Sequence, residues 1–262
     1  MSAIARGVTG GITGHTKALA ILFAAIAGAW TLCIWAEISG VAATVHHHAL
    51  YENGRPLWSS ALLLLVAWQA MTAAMMLPSS LGFIRMYAAA ARSAPEFPAA
   101  LALFLFAYFA VWSGFALLAF LGDMRLHALV DAWPWLDAHP QIIAAGTLAL
   151  AAVYQLTPLK DACLRACRHP GMYLAAHYRR GALNGLRIGF GHALFCLGCC
   201  WALMLVMFAA GVAHLAWMGV LGAVMLVEKG ARDGERFVMP VGVALAVLAA
   251  IALALPHAIP GL

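Results

Sequence analysis

The sequence predicts an all-α fold: a polytopic transmembrane helical bundle of about seven spans, with the N-terminus on the cytoplasmic side. Three observations carry that reading. Of 262 residues, 65% are hydrophobic and 10% charged, against about 25% charged in soluble domains. Apolar runs of about 20 residues recur along the chain, the length that crosses a hydrocarbon core about 30 Å thick. Lys and Arg collect in alternate connections, as they do on the cytoplasmic side of membrane proteins. The formal charge of +5 is thereby spent on topology and gives no nucleic-acid signature.

Residues 1–17 form a short head with Arg6, Lys17 and several glycines. The first span, 18–38, is longer than the roughly 7–15 apolar residues of a signal peptide, so it reads as a retained anchor. A connection with His46, His47 and His48 leads to the second span, 57–78, which ends on Met75-Met76-Leu77-Pro78. Arg85 and Arg92 precede the third span, 99–121. An acidic connection with Asp123, Asp131 and Asp137 then reaches the fourth span, 141–157.

Residues 158–188 form a basic cytoplasmic loop carrying Lys160, Arg165, Arg168, Arg179, Arg180 and Arg187. The following apolar stretch, 188–227, would be about 60 Å long as one helix, two bilayers' worth. It is broken at 211–214, giving spans at 189–211 and 214–227. A charged turn, 228–236, leads to the last span, 237–255, and Pro256 and Pro260 end the chain. With the N-terminus inside, seven spans leave only Arg55 and Arg125 of the 15 Lys and Arg residues outside. The whole chain is expected to form one integral, multi-pass membrane domain.

The chemistry concentrates in residues 191–201, where three of the six cysteines and a histidine interrupt an apolar run. On a helix, His192, Cys196, Cys199 and Cys200 fall within an arc of about 100°. Imidazole and thiolate on one face suit a soft metal, whereas a lone cysteine such as Cys33 reads as a small buried hydrophobe. The proposed topology brings further donors to the same end of the bundle. Met71, Met75 and Met76 close the second span, and Cys163 and Cys167 lie four residues apart beyond Pro158, on one face if that tract is helical. Asp161 and Glu228 are weaker candidates, since Lys160, Lys229 and Arg232 stand nearby to pair with them. Cysteines kept on the reducing side do not persist as disulfides. The histidine triplet reads as solvated, and the four arginines of 165–180 read as a topology determinant facing anionic lipid.

Three tracts together resemble an uncharacterised bacterial family of predicted metal-binding integral membrane proteins. They are Met75-Met76-Leu77-Pro78, the 154–167 tract Tyr-Gln-Leu-Thr-Pro-Leu-Lys-Asp-Ala-Cys-Leu-Arg-Ala-Cys, and Cys196-Leu197-Gly198-Cys199-Cys200-Trp201. The Glu228-Lys229 end of the next span fits the same family. The resemblance covers residues 57–230, and Cys-x2-Cys-Cys-Trp is its most specific element. It implies a metal-binding role for Met75, Met76, Cys163, Cys167, Cys196, Cys199, Cys200 and Glu228, and none for the histidine triplet or His214.

These observations predict an integral membrane protein that handles a soft metal ion, with Cu(I) favoured over zinc. Thiolate and thioether both suit Cu(I), while structural zinc sites use four Cys or His ligands and no methionine. In this scheme Cys163 and Cys167 capture the ion, Cys196, Cys199, Cys200 and His192 hold it, and Met71 and Met75, about 40° apart on their helix, relay it. The expected partners are the lipid bilayer and either a metallochaperone or a copper enzyme awaiting its metal, and no nucleic acid. Two alternatives stand beside this reading: a membrane oxidoreductase with a cysteine or metal redox centre, and a non-catalytic assembly or scaffold protein whose cysteines only pack. No residue reads as catalytic, and the chain shows no dinucleotide or phosphate-binding motif.

Overall fold

The computed structural model describes residues 2–46, 49–50, 54–212 and 214–255, and of residues 2–15 the backbone alone. His47, His48, Pro256 and Pro260 lie outside the described residues. Within them the chain forms ten α-helices and no strand. These are α1 (Ser2–Ile38), α2 (Leu57–Ala91), α3 (Phe97–Ala132), α4 (Pro134–Asp137), α5 (Gln141–Gln155), α6 (Pro158–Arg168), α7 (Pro170–His177), α8 (Ala182–Ala209), α9 (Leu215–Gly230) and α10 (Val238–Ala254). The all-α bundle expected from the sequence is what the chain adopts.

Five of these helices are long and apolar enough to cross a membrane: α1 from Thr16, α2, α3, α8, and α10 with the turn before it. Helices α5 and α6 make a sixth if taken as one segment bent by 65°. Helix α9 has 16 residues and is about 24 Å long, shorter than the roughly 20 residues a perpendicular crossing needs. All seven apolar segments of the sequence are therefore helical, but only five to six meet the length requirement.

Several segments differ from the sequence expectation. The expected head before residue 18 belongs to α1. Asp123 and Asp131, expected in an acidic connection, lie inside the 36-residue α3, whose regular backbone runs on past the apolar stretch. In two further segments the cause is a specific contact or cap. Pro78, read as the end of the second segment, lies inside a 35-residue helix. Proline cannot bond to the carbonyl four residues back, which is that of Ala74. That carbonyl instead accepts the indole N–H of Trp30 at 2.9 Å. Packing against α1 thus satisfies the group that proline frees, and the helix runs on. The basic segment 158–188, expected as a loop, is largely helical. Thr157 caps α6 by accepting the Lys160 backbone N–H at 3.3 Å, and Pro158 occupies the first turn, where its missing donor costs nothing.

Helix α8 is the most enclosed of the long helices and lies along α3, with α5, α6 and α9 also against it. Its glycines permit the close approach. A Cβ at Gly185 would collide with the Ala100 backbone, and one at Gly189 with that of Phe104. Helix α5 pairs with α10, α1 with α2, and α2 with both α3 and α9. Helix α8 ends at Ala209 and the chain turns at Gly211, whose φ of 101° favours glycine.

Candidate metal centre

The site lies where α6 docks against α8 and the C-terminal end of α9, and buried polar groups fix that docking. Glu228, near the end of α9, accepts the Lys160 ammonium at 2.7 Å and the Gln155 side-chain amide at 2.8 Å. All three side chains are buried, so Glu228 holds α5 and α6 together, with each carboxylate oxygen engaged in one hydrogen bond. Arg168, at the other end of α6, donates to the carbonyls of Glu228 at 2.6 Å and Arg232 at 2.9 Å, and pairs with Glu235 at 3.3 Å. A guanidinium at a helix C-terminus meets both the orphan carbonyls and the negative end of the dipole. Helix α6 is thereby pinned at both ends.

The pinning sets the face of α6 that meets α8. Cys167 Sγ lies 3.9 Å from Cys199 Sγ. Cys163 sits over Gly198, where a Cβ would come within 2.5 Å of its sulfur. The glycine in Cys196-Leu197-Gly198-Cys199 is therefore the gap that admits Cys163. From the α5 side, the Tyr154 hydroxyl donates to the Gly198 carbonyl, and its ring packs edge-on against Trp201 at 4.8 Å. The Tyr-Gln-x-Thr-Pro-x-Lys tract thus acts as a structural unit. Tyr154 braces α8, Gln155 and Lys160 hold Glu228, and Thr157 starts α6.

A second sulfur cluster lies beside the first on α8, turned toward α2 and α3. Cys200 Sγ is 3.8 Å from Met76 Sδ on α2. Cys196 Sγ is 3.2 Å from the Tyr108 hydroxyl and 3.8 Å from that of Ser80, and those hydroxyls are 3.1 Å apart. Into this cluster projects the ammonium of Lys229, 3.2 Å from Cys196 Sγ, 3.6 Å from Cys200 Sγ and 3.3 Å from Ser79 Oγ. Cys199 and Cys200 both donate to the Cys196 carbonyl, at 3.1 and 2.8 Å, which fixes their rotamers.

Of the predicted site residues, the structure brings together Cys163, Cys167 and Cys199 in one group, and Cys196, Cys200 and Met76 in the other. His192 is buried and stacks on Phe83 at 3.9 Å, between Phe104 and Tyr108, with no hydrogen-bond partner for either ring nitrogen. Met71 and Met75 are buried in the core, Met75 against Gly222 of α9. Met76 is thus the methionine whose sulfur meets a thiol. Asp161 is exposed and pairs with Arg165, four residues on, and is not brought to either sulfur group. Glu228 pairs with Lys160, as the sequence allowed, but Lys229 goes to the thiols. The cysteines are free thiols.

Among the described residues, no three His, Cys, Asp or Glu side chains converge tightly enough to enclose an ion. The arrangement offers pairs of soft donors instead, Cys167 with Cys199 and Cys200 with Met76, a donor type that suits soft metal ions. Sequence reasoning missed Lys229, Tyr108 and Ser80 as members of the sulfur cluster. The only signal was a lysine placed at the end of an apolar run beside Glu228, which reads equally well as the start of a charged turn.

The model of the PpoB2 copper chaperone family matches residues 65–252, which include both sulfur clusters and the residues that hold α6. No curated protein and no solved structure matches the chain.

Proposed function

Since the chain belongs to the PpoB2 copper chaperone family, we propose that it is an integral protein of the bacterial inner membrane that receives Cu(I) on the cytoplasmic side and delivers it to a copper enzyme during assembly. The observation that carries this reading is the continuity of soft donors along α8. Cys199 faces Cys167 of α6 at 3.9 Å, and Cys200 faces Met76 of α2 at 3.8 Å, on consecutive positions of one helix. An ion captured between Cys167 and Cys199, with Cys163 beside them, has Cys196 and Cys200 within one helical turn. Transfer then proceeds by exchanging one sulfur for the next, so the ion is never without a soft ligand.

Helix α6 lies at the surface of the bundle, with Cys163 and Cys167 half-buried, where a soluble metallochaperone can reach them. The second cluster is enclosed, as suits holding rather than capture. The first cluster offers thiolates and the second adds the Met76 thioether; both donor types suit Cu(I) over harder ions. His192, with two unpartnered nitrogens in an apolar pocket, is the donor in reserve beside Cys196. In this reading all seven apolar helices cross the membrane with the N-terminus inside, and the short α9 lies between longer neighbours.

The test is anaerobic Cu(I) titration of purified protein against a chromophoric chelator. The wild type is expected to bind Cu(I) stoichiometrically. The Cys196→Ser, Cys199→Ser, Cys200→Ser triple variant should insert and fold but lose that binding, because an undissociated hydroxyl is a poor soft-metal ligand. A triple variant with full Cu(I) occupancy, or a wild type that binds none, would sink the copper reading.

A further inference from the structure

The buried charges around the second cluster do not cancel. Lys160 and Glu228 neutralise each other as an ion pair. Arg168 is matched by Glu235 and by backbone carbonyls. Lys229 is 8% exposed, and its ammonium meets two thiol sulfurs and one hydroxyl. No carboxylate among the described residues lies within ion-pair distance of it. A cation enclosed this way strongly favours an environment that supplies one negative charge.

We infer that Lys229 is a specificity residue which restricts the Cys196–Cys200 site to monovalent soft cations. This rests on the copper reading of that site and adds to it the means by which charge is discriminated. The balance is simple. Binding a metal to the two thiols releases two protons and leaves two thiolates. With a monovalent ion the bis-thiolate unit carries one negative charge, which the Lys229 ammonium cancels. With a divalent ion the unit is neutral and the ammonium is left uncompensated in a buried pocket. Softness alone cannot make this distinction, because thiophilic divalent ions such as Cd(II) suit the same sulfurs. Tyr108 and Ser80 add neutral hydroxyls and change no charge in either case.

Ag(I) and Cd(II) are the probes, since both are soft and redox-inert and they differ in charge. Both displace the same two thiol protons, so thiol ionisation cancels in the comparison. The full chain with Cys163, Cys167 and Cys199 changed to serine isolates the Cys196–Cys200 pair. It is expected to take up one Ag(I) and to exclude Cd(II), read by competition titration and by the ultraviolet thiolate-to-metal band. Lys229→Gln should move the Ag(I)/Cd(II) preference toward Cd(II) by about a hundred-fold or more, as expected for one unit charge a few Å away at an effective dielectric of about 20. Lys229→Arg keeps the charge and should keep the wild-type preference.

If the Lys229→Gln preference is unchanged while Ag(I) still binds, the inference fails and the copper site stands. Should the glutamine variant not fold, the Lys229-bearing chain still decides: Cd(II) binding as tight as Ag(I) overturns the inference. If the cysteine-intact protein binds neither Ag(I) nor Cu(I), the copper reading fails and the inference falls with it.

Discussion

Lys160 Nζ lies 2.7 Å from a carboxylate oxygen of Glu228, and the two side chains are 0% and 2% exposed. This pair joins α6 to α9, and with Gln155 it forms a polar tie that lies wholly inside the protein. Removing one member leaves the other charged and buried, which costs about 3–5 kcal/mol. Glu228→Gln and Lys160→Met should therefore each lower the unfolding midpoint of the detergent-solubilised protein markedly. The double variant Lys160→Met, Glu228→Leu should recover much of the loss. Two single variants as stable as wild type would show that α6 is held by other means.

The seam between α3 and α8 depends on absent side chains. Gly185 and Gly189 stand four residues apart, and a Cβ on either would enter the α3 backbone. Small residues at this spacing let helix backbones approach closely where apolar burial against lipid offers no advantage. Gly189→Val should push the helices apart at a cost of about 2 kcal/mol or more, and displace Cys196 two turns further along α8. The readouts are thermal unfolding and Cu(I) affinity. A fully stable Gly189→Val variant would contradict the packing described.

Much of the fold was legible in the sequence because apolar length and basic connections depend only on composition. All seven apolar segments are helices, and the thiols of α8 do share one side of the helix. What composition did not reveal were long-range partners. Nothing local says that Trp30 satisfies the carbonyl freed by Pro78, or that Gly198 exists to admit Cys163. Asp161 reads in the sequence as a weaker candidate with Lys160, Lys229 or Arg232 nearby to pair with it; its partner is instead Arg165, four residues on. The sequence favours Met71 and Met75 as a relay and the family resemblance points to Met75 and Met76, whereas the placement of α2 against α8 sets the Met76 sulfur beside Cys200. Lys229 was the largest omission, because a charge at the end of an apolar run ordinarily marks solvent.

The methionine distinction is testable. Met76 Sδ lies 3.8 Å from Cys200 Sγ, whereas Met75 packs on Gly222. Met76→Leu keeps the volume and removes the thioether, so Cu(I) affinity should fall by about ten-fold or more, in the range seen when supporting groups at metal sites are lost. Met71→Leu and Met75→Leu should leave affinity unchanged, a volume-conserving core change of less than about 1.5 kcal/mol. Equal losses in all three variants would return Met71 and Met75 to the site.

Cys167 and Cys199 have sulfurs 3.9 Å apart on different helices, separated in sequence by α7 and its flanking turns. In a variant with Cys163, Cys196 and Cys200 changed to serine, diamide should join them, since α6 needs to shift by only about 2 Å to reach bonding distance. After proteolysis between 168 and 182 the fragments should then migrate together until a reductant is added. Prior loading with Ag(I) should protect the pair. Failure to cross-link would place the sulfurs of α6 and α8 further apart than described.

The contacts of Arg168 and Lys160 constrain sidedness in a way that a count of charges does not. A six-span alternative would put the charged turn 228–236 outside and the basic segment 158–188 inside. Arg168 binds the carbonyls of Glu228 and Arg232 and pairs with Glu235, while Lys160 binds Glu228. In the proposed membrane orientation, segments in direct contact would lie on one face, both cytoplasmic or both external, and the excess of Lys and Arg points to the cytoplasmic side. In a cysteine-free background, reporter cysteines replacing Arg180 and Arg232 should react together with an impermeant maleimide only from the cytoplasmic side. One replacing Asp131, at the far end of α3, should react from outside. Labelling of positions 180 and 232 from opposite sides would be incompatible with the contacts of Arg168, and external labelling of both would invert the route proposed for copper.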